Sequence, residues 1–188
     1  MTDQPTALDL PIVDPLPEAT QKYFDTCEEK LGMVPNVLRA YAFDIDKLNA
    51  FSALYNDVML ADSGLTKLER EMIAVAVSAI NRCYYCLAAH GAAVRKLSGD
   101  PALGEMLVMN WRVAPLDARQ RAMLEFAEMT TVTSARITDA DRNALRQVGF
   151  TDRDIWDIAA TAGFFNMSNR IASATGMRPN DDYHAQAR

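Results

Sequence analysis

Apolar residues recur along this chain at three- and four-residue spacing, the period of one helix face, and no segment alternates strictly as a half-buried strand would. From Gln21 to Leu31 that face is Tyr23, Phe24, Cys27 and Leu31, with Pro17 suited to a first helical position and Gly32 to a stop. Met33-Val34-Pro35-Asn36 turns into a short helix through Ala42, and a longer one over about Ile45 to Leu60 carries Leu48, Phe51, Leu54, Tyr55 and Val58. Gly64 breaks it. Thr66-x-x-Glu69 then spells a capping box, in which hydroxyl and carboxylate satisfy orphan amides at a helix start, and that helix runs to about Ile80. Asn81-Arg82 reads as a tight joint, because Asn tolerates a left-handed backbone and is a poor interior helix residue. Cys83 falls in the first turn of the next helix, which reaches about Leu97 before Ser98-Gly99-Asp100-Pro101 ends it. Further helices are predicted at about Pro101 to Asn110, Asp117 to Thr131, Asp139 to Gln147 and Thr151 to Ala174. The fold class is all-α.

The ends differ from the middle. Pro5, Pro11, Pro15 and Pro17 exclude a helix before residue 17, so residues 1–16 read as an extended arm, 17–180 as one helical domain and 181–188 as a polar tail in which His184 is solvated. Sliding the chain by 85 positions pairs Gly64 with Gly149, Thr66 with Thr151, Ile73-Ala74 with Ile158-Ala159, Asn81 with Asn166, Ala89 with Ala174 and Gly91 with Gly176. Two related helical units are expected. The second has Trp156, Ser168, Ile171 and Thr175 where the first has Glu71, Cys83, Cys86 and His90, so only the first carries chemistry.

Composition narrows the function. With 188 residues, 49% of them hydrophobic, the chain can bury a core without disulfide staples. A formal net charge of −6 and no basic stripe argue against nucleic acid and against anionic membranes. Met72 to Ile80, the longest apolar stretch, is too short to span a bilayer, and Met1 to Leu10 lacks the features of a signal peptide. A cytoplasmic protein with reduced thiols is expected. Ile155 to Phe165 is apolar around most of its circumference, which predicts a homo-oligomer to cover it. Cys27, Trp111, Trp156 and most of the ten methionines read as packing residues.

Cys83-Tyr84-Tyr85-Cys86-Leu87-Ala88-Ala89-His90 is the most informative string. Cys83 and Cys86 stand three apart at a helix start, close enough for their sulfurs to bond with modest adjustment. A thiolate is the reactive form, and a second thiol can resolve an oxidised sulfur as a disulfide before it is over-oxidised. His90 lies one turn beyond Cys86 and can accept its proton. Glu71 is ten residues before the joint and His90 nine after it, so a hairpin at Asn81 makes them face each other and lets the carboxylate orient the imidazole. The alternative for Glu71 is a solvated first turn shared with Glu69 and Arg70.

Glu71, Cys83-x-x-Cys86 and His90, together with Gly32-Met33-Val34-Pro35-Asn36, Val77-Ser78-Ala79-Ile80-Asn81 and Asn169-Arg170-Ile171-Ala172, resemble the AhpD-like alkylhydroperoxidases of the carboxymuconolactone decarboxylase superfamily, and most of all their peroxidase-related branch. The resemblance spans about residues 20 to 185. It implies an AhpD-like helical bundle, a homo-oligomer (dimer, trimer or hexamer), and reduction of a hydroperoxide with electrons from a dithiol or protein reductant. It also implies no cofactor beyond a redox-active disulfide between Cys83 and Cys86. In that family the second cysteine attacks and the first resolves, with histidine and glutamate as proton relay, roles that fall on Cys86, Cys83, His90 and Glu71. The histidine beside Cys86 also favours Cys86 as nucleophile, since a charged partner shifts a thiol pKa more than an exposed helix dipole does. Relatives have a histidine where this chain has Tyr85, a phenol that can support by hydrogen bonding but is a poor base at neutral pH. Two other readings stand beside this one: a zinc site built from Cys83, Cys86, His90 and Glu71, and an inert oligomeric scaffold with a vestigial pair.

Overall fold

The computed structural model describes residues 4–188, and its regular elements are ten α-helices joined by short turns, two of them 3-10 turns (Trp111–Val113 and Ser134–Arg136). The helices are α1 (Glu18–Leu31), α2 (Asn36–Tyr41), α3 (Ile45–Leu60), α4 (Lys67–Ile80) and α5 (Tyr84–Ser98). They continue as α6 (Pro101–Asn110), α7 (Ala118–Val132), α8 (Asp139–Gln147), α9 (Asp152–Ala174) and α10 (Asp182–Ala185). Among the described residues no strand forms, and no helix is long and apolar enough to cross a membrane.

The punctuation of the sequence does most of the placing. Thr66 Oγ1 accepts the Glu69 N–H at 3.1 Å while Glu69 accepts the Thr66 N–H at 2.7 Å, so α4 opens with two orphan donors satisfied. Thr151 and Asp154 repeat the device at the head of α9. The two boxes touch: a Cβ at Gly64 would collide with the Asp154 carboxylate. Gly32 ends α1 at φ 74°, and Pro17 is the N-cap of α1, one place earlier than the spacing suggested. Leu31 and Leu54, expected on inner faces, are exposed.

α4 is the centre of the molecule. Met72 to Ser78 are buried on every side, and α3, α5, α6, α7 and α9 pack around them. Such a helix is held by its neighbours rather than by one apolar stripe. Met72→Ala, at a fully buried position, is expected to cost about 2–5 kcal/mol.

Both ends fold back onto this body. In the arm, Ala7 N–H donates to Thr175 O at 2.9 Å and Val13 N–H to Ala42 O at 2.9 Å, so it lies on its own chain. The C-terminal segment, expected to be a polar tail, contains α10. The buried Arg95 guanidinium holds it, donating to Tyr183 O at 2.9 Å and Gln186 O at 3.1 Å.

The internal repeat is realised in part. α4 and α5 form the predicted hairpin, but their second-unit counterpart is the single 23-residue helix α9, which runs through Asn166 without a joint. Asn166 turns its side chain back to Ala162 O at 2.9 Å, one helical turn earlier, and the ladder continues. The left-handed residue of the first joint is Arg82 at φ 54°, not Asn81. Its counterpart, Met167, is helical. The paired asparagines meet in space, with Asn81 Nδ2 donating to Asn166 Oδ1 at 3.0 Å.

Candidate active site

The joint creates the site. Arg82 in the left-handed conformation stops α4 and lets Cys83 N–H reach back to Ser78 O at 3.0 Å, so Cys83 becomes the N-cap of α5 rather than part of its first turn. Cys86 follows in the first turn. Both cysteines are free thiols and both are buried, at 1% and 2% exposure, in a small cluster with Tyr85, Ala172 and Met177, against which Val37, Ala40, Tyr41 and Ala89 pack.

Their surroundings separate the two thiols. Cys83 makes no formal capping hydrogen bond, but the Cys86 thiol, the Cys86 N–H, Ser173 and Asn169 all face its sulfur. The Cys86 thiol, as donor, is the largest influence, and together these groups overcome burial and lower Cys83 to about 6 from its ordinary value of 9.0. Cys86 is pushed up, first because its proton is held by Cys83 and then by burial, with Asn169 and Ser168 acting in the opposite direction. Each thiol is thus the chief influence on the other, Cys86 as donor and Cys83 as acceptor. The sequence pointed to Cys86, on the strength of His90.

Glu71 and His90 come together as the hairpin register requires. His90 Nδ1 meets Glu71 Oε2 at 2.6 Å, and each side chain is 13% exposed. An ionised carboxylate only accepts, so the ring donates from Nδ1 and its Nε2 is the nitrogen left to take or give a proton. Phe165 packs edge-on against the imidazole at 4.7 Å between ring centres, fixing its plane. The solvated first turn does not form: Glu69 and Arg70 are themselves buried, with Glu69 paired to Arg119 at 3.1 Å and Arg70 bonded to Ala61 O at 2.8 Å.

Tyr85 turns away from this pair. Its hydroxyl accepts the Val37 N–H at 2.8 Å, and Asn180 Oδ1 accepts the Asn36 N–H at 2.7 Å. These two side chains satisfy the head of α2, where Pro35 offers no cap of its own. Burial raises the Tyr85 phenol well above its usual range, so it stays a neutral hydroxyl. Asn180 also donates to Val34 O at 3.0 Å, which ties the cover of the site to the segment after α9. His184 is exposed as expected, yet its Nε2 lies 3.0 Å from the Tyr84 hydroxyl, and the tail rests against the start of α5.

The zinc reading needs four ligands around one point, and among the described residues no three His, Cys, Asp or Glu side chains gather in that way. Trp111 packs as predicted, with Nε1 donating to Glu128 at 2.9 Å, whereas Trp156 is 72% exposed.

The carboxymuconolactone decarboxylase family model matches residues 46–102, the stretch that holds Glu71, both cysteines and His90. A peroxidase-related protein from Silicibacter sp. is 71% identical, covering 98% of this chain and 97% of its own, with a TM-score of 0.96. The alkylhydroperoxidase AhpD core structure of a peroxidase-related protein from Ralstonia eutropha is 43% identical over 98% and 97%, with a TM-score of 0.94. The chain is an AhpD-like member of the carboxymuconolactone decarboxylase family. The debrominase Bmp8, solved in complex with 2,3,4-tribromopyrrole, shares the fold at a TM-score of 0.77 with 17% identity over 96% of this chain and 97% of its own. No curated protein matches the chain.

Several groups around the thiols of this AhpD-like protein had no role from sequence. Asn169 is 1% exposed, donates to Ser78 Oγ at 2.9 Å and favours the charged form of both thiols. Ser168 faces Cys86 and Ser173 faces Cys83. Asn169 and Ser78 both lie inside strings that carry the family resemblance, the one signal that could have singled them out.

Proposed function

We propose that this protein is a thiol-dependent peroxidase that reduces a hydroperoxide at Cys83 and Cys86, with Glu71 and His90 moving the proton. One observation carries the reading: two free thiols lie buried together at the head of α5, where the Cys86 thiol draws Cys83 down and a Glu71–His90 pair held at 2.6 Å stands one turn along. A thiolate at neutral pH is the nucleophile a peroxide needs, and the second thiol is the resolving group.

The steps follow from where the charge rests. The Cys83 thiolate attacks the terminal peroxide oxygen, the O–O bond breaks, and the departing alkoxide takes the Cys86 proton to leave as an alcohol. Cys83 is now a sulfenic acid and Cys86 a thiolate. Cys86 attacks the Cys83 sulfur, the S–O bond breaks, and the hydroxide takes a proton delivered through His90 and Glu71 to leave as water. The hydroperoxide is reduced, the pair is oxidised to a disulfide, and a dithiol or protein reductant restores it. This order reverses the one that the family resemblance implies. It follows the thiolate. The working form is a homo-oligomer in which a second copy covers the apolar outer face of α9 around Trp156.

Peroxide consumption by purified protein, run against a panel of dithiol donors, tests the reaction. Turnover with at least one donor is expected, and no consumption with any donor rejects it. Stoichiometric peroxide followed by a sulfenic-acid probe tests the order. Cys86→Ser should be labelled on Cys83. A label formed at the wild-type rate on Cys86 of Cys83→Ser, with none on Cys83 of Cys86→Ser, restores the family order.

A further inference from the structure

The two thiols are 1% and 2% exposed, so no reagent reaches either sulfur while the site stays closed. The walls that close it are of unequal strength. One is the 23-residue helix α9, which enters the thiol cluster through the buried Ala172. Another is α2, where Leu38 is buried in the core and Tyr41 stacks on the core ring of Phe51 at 4.4 Å between ring centres. The last is residues 177–188, which reach the cluster through Met177.

That last wall is built differently. Of residues 177–188 only Met177 and Pro179 are buried, so little apolar surface holds the segment down. Its fastenings are polar and separate. The Arg178 N–H donates to Pro5 O at 3.0 Å, and Asn36 Nδ2 donates to Arg178 O at 3.1 Å. Asn180 bridges Val34 and Asn36, and His184 meets the Tyr84 hydroxyl. Arg95 is the buried latch: it stands on α5, the helix that carries Cys86 in its first turn, and holds both Tyr183 O and Gln186 O. At the other end Gly176, at φ 62°, joins the segment to α9, a position where the backbone turns without the penalty of a Cβ. A segment with one free end, a glycine at the other and polar contacts between opens locally before the body of the protein unfolds.

We propose that residues 177–188 are a hinged cover over the thiol pair, pivoting at Gly176 and latched by Arg95, whose release lets reagents reach Cys83 and Cys86. Its part in turnover rests on the reading of those two cysteines as the reacting centre. The dithiol or protein reductant, bulkier than a peroxide, depends on it most, because thiol–disulfide exchange needs direct approach to a sulfur. Lifting the cover also takes Asn180 from the head of α2 and leaves Tyr85 alone to satisfy it, so the second wall loosens with the first.

Reduced full-length protein is treated with iodoacetamide near pH 8, in urea concentrations below the unfolding transition. Label is read by mass spectrometry on the peptide carrying Cys83 and Cys86, so that Cys27 does not count. Amide hydrogen exchange of residues 177–188 and of α4 is followed in parallel. In the wild type, labelling should rise with urea as gently as the exchange of residues 177–188 and far less steeply than that of α4, because the slope follows the surface exposed on opening. Arg95→Met keeps a long buried side chain and removes both donors. It should speed labelling and the exchange of residues 177–188 together, each by about tenfold or more, and both by more than the exchange of α4. Wild-type labelling that tracks α4 overturns the proposal, and this comparison stands even if Arg95→Met does not fold. So does a folded Arg95→Met protein whose cover exchanges faster while its thiols react at the wild-type rate, or whose cover exchanges as in the wild type. Iodoacetamide needs no peroxide, so a protein that labels as expected but consumes no peroxide with any donor rejects the proposed reaction and leaves the cover standing.

Discussion

The stretch from Ser78 to Cys86 and the stretch from Gly163 to Ile171 stand 85 positions apart and share a pattern, an apolar helix running into an asparagine. In the first, Arg82 flips to φ 54°, α4 ends, and a new helix starts with a cysteine at its head. In the second the backbone stays helical, and the side chains of Asn166, Ser168 and Asn169 instead point their hydrogen bonds at the first. One copy broke and placed two thiols at its joint; the other stayed whole and became their wall. A single backbone dihedral separates the two outcomes. What it gains is exposure of helix-start amides to a sulfur, which a mid-helix position like that of Ser168 does not offer.

The largest expected effect tests which copy carries the chemistry. Cys83→Ser and Cys86→Ser should each reduce peroxide turnover to background, because either loses a reacting sulfur. Ser168→Ala, at the position paired with Cys83, should cost only several-fold, since it removes one hydrogen bond to Cys86.

Next is the acidity that the broken copy creates. Cys83 is lowered to about 6, so alkylation of the reduced protein should be level above that pH and fall about tenfold per unit below it, as the thiolate takes up its proton. A midpoint near 9 would mean that the Cys86 thiol and its neighbours do not acidify Cys83.

Glu71→Gln and Trp156→Gln then compare the paired positions ahead of each asparagine. Losing the carboxylate 2.6 Å from His90 should slow turnover by about tenfold with the fold intact, as circular dichroism would verify. Losing the exposed indole should leave thiol alkylation as it was and weaken self-association, read by light scattering. Unchanged turnover in Glu71→Gln would reduce the carboxylate to a structural partner.

The smallest expected effect has opposite signs at the two sites. Arg82→Gly relieves a left-handed residue and should raise stability in urea by up to about 1 kcal/mol. Met167→Gly, at the paired position inside α9, should lower it by about 1 kcal/mol. Equal signs would mean that the dihedral at Arg82 carries no strain.

Much of this was legible in the residues. Helix starts were legible where a side chain caps them, as at Thr66 and Thr151, since a capping box is a local interaction within four residues. The facing of Glu71 and His90 was legible because an antiparallel hairpin makes register a matter of counting. The fate of the second asparagine was not, because the choice between breaking and continuing a helix depends on what Asn166 finds to bond, and it finds Ala162 and Thr131. The covering of the thiols by α2 and the segment after α9 was not legible either, since it joins residues more than a hundred positions apart, as Asn180 with Asn36.

By itself, then, the sequence determined the all-helical class, the caps, the hairpin and the presence of two thiols and a Glu–His couple, all consequences of period, propensity and short-range hydrogen bonds. Only the tertiary structure decided what surrounds the two thiols. Groups from α5 and from the distant end of α9 meet there in one buried volume, where low dielectric makes each donor count for more.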